Sequence, residues 1–143
     1  MYTGLQHAHS YIAFAALILL IVASINAIIG MTSNKEFKDG DRKLSLFALI
    51  FTHTQLLIGI ILYFVSQKGF EMLTSGNAMG NKELRLIALE HPLINIIAVV
   101  LITIGWSRHK KMTTSKAKFK SIAIMFALGT ILILSRIPWS AWL

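Results

Sequence analysis

Four apolar stretches separated by short polar connections organise the chain. Tyr11 to Met31 carries no charge over 21 residues, and Leu44 to Gln67 carries none over 24. Leu86 to Trp106 is apolar except for Glu90 and His91 near its start. The last stretch, Ser121 to Ser135, is shorter and continues into Arg136-Ile-Pro-Trp139. A helix rising about 1.5 Å per residue needs roughly 20 residues to cross a hydrocarbon core of about 30 Å. The first three stretches meet that length, and the fourth meets it with its flanks. The pattern predicts an antiparallel bundle of four transmembrane helices over about 9–31, 44–67, 86–107 and 118–139, forming a single domain. The Gly69-to-Asn81 connection, with Gly76, Asn77 and Gly80, reads as a surface loop.

Composition agrees with this reading. Of 143 residues, 55% are hydrophobic and 14% charged, with mean hydropathy +0.67. Soluble domains carry about a quarter charged residues, so this chain has too few to cover a water-facing surface. The net charge of +8 sits in short connections beside the apolar runs. There it reads as a topology signal and gives no support for nucleic-acid binding. The first connection holds Lys35, Lys38, Arg42 and Lys43, and the third holds Arg108, Lys110, Lys111, Lys116, Lys118 and Lys120 without any acid. The second connection and the tail carry only Lys68, Lys82, Arg85 and Arg136. The positive-inside rule predicts the two basic connections in the cytoplasm and both termini on the outer side of a bacterial inner membrane. Trp139 and Trp142 at one side and Trp106 at the other are expected at the membrane interfaces. The N-terminal residues before His9 contain no Lys or Arg, so the first run is expected to remain as an anchor.

The candidate chemistry lies in the histidines. His53 falls near the middle of the second run and His91 in the outer third of the third; His7 and His9 stand at the outer mouth of the first. His109 falls in the basic connection and reads as solvated. Ionisable groups within a membrane are costly and usually face a site or a partner. Neutral imidazole is the commonest metal ligand, and two such ligands from different helices at similar depth are what a b-type haem requires. Counted from the inner ends of the runs, His53 lies about 13 Å up, His91 about 22 Å and His9 about 33 Å. His91 is common to both pairings, and depth does not choose between His53 and His9. His7 and His9 point to nearly opposite faces of a helix, so an H-x-H chelate is a weak signal. Arg136 shares the outer side with Glu90, so it can form an ion pair with that residue or face haem propionates. Ser24, Asn26, Thr52, Thr54, Gln55, Asn95 and Thr130 read as interhelical hydrogen-bonding positions, with Asn95 on the face of His91. Cysteine is absent, which excludes disulfides, thiolate sites and covalent c-type haem attachment. There is no phosphate loop, H-E-x-x-H or nucleophile elbow, so hydrolytic and nucleophilic catalysis lack support. His9-Ser10 and His91-Pro92 each lead an apolar run toward a basic connection, an order that fits two hairpins related by an axis along the membrane normal.

The stretches Gly4-Leu-Gln-His-Ala-His-Ser10, Phe51-Thr-His-Thr-Gln-Leu-Leu-Ile-Gly-Ile-Ile-Leu-Tyr-Phe-Val-Ser66, Leu84-Arg-Leu-Ile-Ala-Leu-Glu-His91 and Ile137-Pro-Trp139 resemble a group of small four-span membrane proteins of Bacteroidetes-type bacteria, often labelled cytochrome b-like. Gln55-Leu-Leu-Ile-Gly59 is also similar to the Q-x-x-L-G pattern of haem A synthase, with Ile58 where that pattern has Leu and no histidine in the fourth run. The resemblance implies chiefly the four-span topology; the histidines lead to the expectation of a haem b-binding protein relaying electrons in a respiratory or quinone-linked chain. His91, His53 and His9 are then the candidate iron ligands and Arg136 the candidate propionate contact. The other reading is a non-catalytic accessory subunit of a larger inner-membrane complex or a homo-oligomer, in which the same residues bind helices together.

Overall fold

In a computed structural model the chain is all-helical among the residues described, which are 2–66, 68–76 and 80–139. Gln67, Asn77 and Trp142 lie outside them. Helix α1 spans Tyr2–Thr32 and α2 spans Asp39–Val65. Short helices α3, Phe70–Thr74, and α4, Lys82–Arg85, come next. A π-helical turn, Leu86–Glu90, joins α4 to α5, His91–Lys111, and α6 spans Ser115–Ser135. Four helical segments, Thr3–Thr32, Asp39–Val65, Lys82–Lys111 and Ser115–Ser135, are long and apolar enough to cross a membrane.

The four segments are those the hydropathy predicts, but their limits differ. Helix α1 starts seven residues before the expected limit, because the residues ahead of the apolar run contain no proline and the single Gly4 weakens a helix without ending it. Helix α5 runs on to Lys111 through Arg108, His109 and Lys110, whose charge suggests a connection. Basic residues in a last turn complement the helix dipole and so extend a helix instead of ending it. Helix α6 ends at Ser135, ahead of Pro138.

Local signals explain the remaining ends. Asn34 takes a left-handed conformation with φ 54°, and Lys35 N–H donates to the Gly30 carbonyl at 3.2 Å. That is a Schellman-type stop with Asn in the position usually held by Gly. Thr114 caps α6 by accepting from Ala117 N–H at 3.2 Å. The π turn falls just before Pro92. In a regular helix the proline ring would clash with the carbonyl four residues back, and a wider turn relieves this.

Helix α1 packs on α2 and α6, and α5 packs closely on α6 and more lightly on α2. Helices α1 and α5 are therefore diagonal partners. Lipid tails are as apolar as Leu, so membrane helices associate through close packing of small residues and through polar contacts. The face of α1 that meets the bundle carries Ala16, Leu20, Ala23, Ala27 and Gly30 at alternating four- and three-residue steps, all buried. A Cβ on Gly30 would lie 2.6 Å from the Phe119 ring, and one on Gly105 would lie 2.6 Å from Met125 Cβ. At these points α1 and α5 approach α6 closely. The large side chains Ile18, Ile25, Leu57, Val100 and Ile131 face outward on all four helices, as a lipid-embedded bundle requires. Trp106, expected at the interface, is instead 9% exposed and belongs to the core, against the His109 ring at 4.5 Å between centroids.

The packing is uneven along the axis. Every buried position of α2 lies between Asp41 and Thr52, and α1 has none before Ala16. On α5 the buried residues begin at Ala98. The end bearing the α1–α2 and α5–α6 connections, the basic end, is tightly packed. Toward the opposite end the buried positions continue at Ala88, Ile133 and Ile137, while the described residues of α1 before Ala16 and of α2 after Thr52 add none.

Gly105→Leu forces a side chain into the α5–α6 contact and is expected to cost about 1–3 kcal/mol. Gly40→Ala, in α2 with nothing within 4 Å of its Cβ position, is expected to add up to about 1 kcal/mol. Thermal melts in one detergent, followed by helicity, check both signs.

Candidate functional site

The end opposite the basic connections gathers a polar cluster from α1, α2 and α5 and from Arg136, just past α6. His9 of α1 and His91 of α5 face each other across the bundle diagonal, with ring centroids 6.4 Å apart and ring planes at 87°. Helix limits explain this meeting. His91 lies twenty residues from Lys111, about 30 Å along the axis, and His9 lies twenty-three from Thr32, about 34 Å. His53 lies fourteen from Asp39, about 21 Å. Counting from Trp106 makes His91 too shallow, because α5 continues to Lys111. With the observed limits, depth pairs His91 with His9 and leaves His53 apart.

Each histidine of the pair is anchored by a neighbouring element. The Gln55 amide of α2 stands 2.9 Å from His9 Nδ1. Gly59, one turn further on, lets α2 approach the same ring: a Cβ there would lie 3.2 Å from His9 Cε1. His91 Nδ1–H donates to the Arg136 backbone carbonyl at 3.0 Å. That donation leaves His91 Nε2 with its lone pair. The Asn95 amide, one turn along α5, donates to the His91 carbonyl and adjoins the same ring nitrogen at 3.0 Å. Gln55 Oε1 is buried and has no hydrogen-bond partner among the described residues.

Above the pair, Glu90 joins two arginines. Its carboxylate lies 3.1 Å from Arg85 Nε and 3.8 Å from Arg136 Nε. The expected Glu90–Arg136 pair is therefore present, but Arg85, which sequence alone leaves in the connection, is the closer partner. All three side chains are about a third exposed or more, so the network adds little stability.

His53 belongs elsewhere. It faces outward into an apolar groove of about 310 Å³ between α2 and α5. Its Nε2 lies 2.9 Å from Thr103 Oγ1, and the Thr103 hydroxyl donates to the Val99 carbonyl at 2.7 Å. Thr103 therefore accepts from His53 Nε2–H, and the pair ties α2 to α5. His7 stacks on Tyr11, one turn along α1, at 6.2 Å between centroids. No group of three or more metal-ligating His, Asp or Glu side chains occurs among the described residues.

Of the other polar positions, Gln55 and Asn26 bond across helices as expected. Thr52 and Thr130 return their hydroxyls to carbonyls of their own helices, and Ser24 Oγ is buried without a partner among the described residues.

Two polar groups at the basic end are buried although their sequence surroundings suggest solvent. Asp41 is 8% exposed. It accepts from Asn26 of α1 at 2.9 Å and from Lys38 N–H at 2.9 Å, with Lys35 Nζ at 3.8 Å. A signal is present in the sequence: an acid three residues after the helix start forms a capping box and stays close to the backbone. His109, expected in solvent, is 2% exposed, and its Nδ1–H donates to the Trp106 carbonyl. The Phe37 ring covers it at 5.4 Å. It is buried because α5 continues through it.

Comparison of the chain with protein-family models, with curated proteins and with solved structures gives no significant match.

Asp41→Leu leaves the Asn26 amide and Lys38 N–H without their acceptor and is expected to cost about 1–3 kcal/mol. Asp39→Asn, on an exposed carboxylate that pairs with Arg42 at 3.0 Å and Lys43 at 3.2 Å, is expected to change the melting temperature little, because exposed ion pairs contribute little. The two melts, run side by side, separate a buried lock from a surface pair.

Proposed function

We propose that this chain is a haem b-binding membrane protein, with His9 and His91 as the axial ligands, and that it relays electrons within a bacterial inner membrane. The observation that carries the reading is the facing pair. Two imidazoles ligating one iron from opposite sides at about 2 Å per bond place their ring centres roughly 6 Å apart. The observed separation is 6.4 Å. Two protein ligands are few for a bare metal ion but complete a haem, which brings four nitrogens of its own.

The surrounding residues suit this role. The Arg136 carbonyl fixes the His91 tautomer that keeps Nε2 basic, as outer-shell partners of ligating histidines do. A half-turn of the Gln55 amide would set its unpartnered Oε1 on His9 Nδ1–H. That satisfies the buried oxygen and frees His9 Nε2 in the same way. Arg136 and Arg85 at the mouth offer planar donor forks to carboxylates, and Glu90 holds them until such groups arrive. A bound haem b supplies one-electron chemistry. The chain would contribute ligation and orientation. His53 falls outside this set. The ten-to-four distribution of basic residues supports a cytoplasmic side for both connections of the basic end, and with it an outer side for the histidine pair. The resemblance to cytochrome b-like four-span proteins points the same way.

A second reading rests on the hydrogen bonds themselves. Gln55–His9 joins α1 to α2 and His91–Arg136 joins α5 to the end of α6. Such bonds hold a non-catalytic accessory subunit together with no cofactor, for docking in a larger membrane complex.

A reduced-minus-oxidised visible spectrum of protein purified from haem-replete cells separates the two. The first reading expects a b-type α-band that is lost in His9→Ala and in His91→Ala and kept in His53→Ala. Gly59→Leu, which crowds the His9 ring, is expected to weaken it. A colourless wild-type preparation with full helicity overturns the haem reading, and co-purification of a stoichiometric partner supports the accessory one.

A further inference from the structure

We infer that the basic end carries a binding site for one anionic phospholipid in the groove between α5 and α6. The groove has a volume of about 310 Å³. Arg108 of α5 and Lys120 of α6 stand on its two walls, and Met112, Ile124 and Met125 form its apolar lining. Both cations are exposed. Neither has a carboxylate within ion-pairing distance among the described residues, whereas Lys35, Arg42, Lys43, Arg85 and Arg136 all do. The chain contains no Asp or Glu after Glu90, so nothing local on these helices can neutralise them.

Other nearby cations are differently engaged. Lys110 lies 5.7 Å from the Trp106 ring centroid, and Lys118 lies 5.7 Å from that of Phe37. The Ser121 hydroxyl donates to the Gly105 carbonyl at 3.0 Å. That bond helps to hold the α5–α6 approach that forms the groove floor, and it leaves Arg108 and Lys120 as the charge-bearing donors at the mouth.

Charge complementarity and position select the occupant. Two unpaired cations lining one groove call for a phosphate, and an Arg fork suits its oxygens. The lining runs from these cations toward the membrane-spanning part of α6 through Ile124, which is half exposed at 50%. A ligand filling both parts has an anionic head and an acyl chain. Basic pockets between transmembrane helices at a membrane surface bind lipid head groups on this principle. A free phosphate would leave the apolar part empty. The site lies at the opposite end of the bundle from the histidine pair and does not depend on what that pair binds.

The test is native mass spectrometry of protein released from nanodiscs of equal parts phosphatidylethanolamine and phosphatidylglycerol. The wild type is expected to retain one phosphatidylglycerol in preference to phosphatidylethanolamine. Arg108→Gln with Lys120→Gln is expected to lower that preference on the order of tenfold, from the loss of two charges near the surface. Lys111→Gln with Lys116→Gln removes equal charge outside the groove and is expected to keep it. Ile124→Trp, which fills the apolar part while keeping both cations, is expected to lower retention as well. Helicity confirms that each variant is folded. Equal loss in both double variants, or no lipid preference in the wild type, overturns the proposal. Displacement of the lipid by millimolar inorganic phosphate assigns the site to free phosphate and overturns it too.

Discussion

Within a bilayer, a helix gains little by exchanging lipid contacts for Leu contacts, so close approach of backbones has to hold this bundle together. The small residues that permit it are concentrated toward one end. Ala23, Ala27 and Gly30 on α1, Ala48 on α2, Gly105 on α5 and Ala123 on α6 are all buried. Phe119, Ile122 and Phe126 on α6 fill the space that is left. From this end the long helices take their positions, and the arrangement further along the axis is set by where they emerge.

In the far half α1 and α2 contribute less to the core than α6 does. Beyond Thr52 on α2 and before Ala16 on α1, no described residue of either helix is fully buried. Polar side chains take over the work that small residues do at the basic end. Gln55 reaches His9, His53 reaches Thr103, and His91 reaches the Arg136 carbonyl. In an apolar surround such bonds are specific in position, although each contributes only about 1 kcal/mol.

The π turn at Leu86–Glu90 connects these features. Its extra residue lets the helix pass Pro92 without losing continuity. Such turns recur where a side chain has to be re-aimed. Here the turn is succeeded by His91 and, one helical turn on, by Asn95. The residue that closes it is Glu90, which bridges Arg85 to Arg136. The turn thus sets His91 beside Glu90, and Arg136 reaches that pair from the end of α6.

The four spans, the basic character of two connections and the membrane environment are determined by the sequence alone. They depend on the chain's own length and polarity, which need no partner to be expressed. The histidines are also visible there, because an ionisable group in an apolar run stands out wherever it falls. The sequence does not determine which of them meet. Depth along a helix depends on where that helix ends, and Arg108 to Lys111 look like a connection by charge although the dipole makes them a favourable last turn. The same ambiguity hides the burial of His109 and suggests an interfacial place for Trp106. The Asp41 lock is hidden because a carboxylate beside four basic residues looks solvated until Asn26 is brought against it. Periodicity and polarity are properties of one helix. Pairing is a property of two, and only the tertiary packing of α1 against α2 and α6, with α5 across the diagonal, decided it.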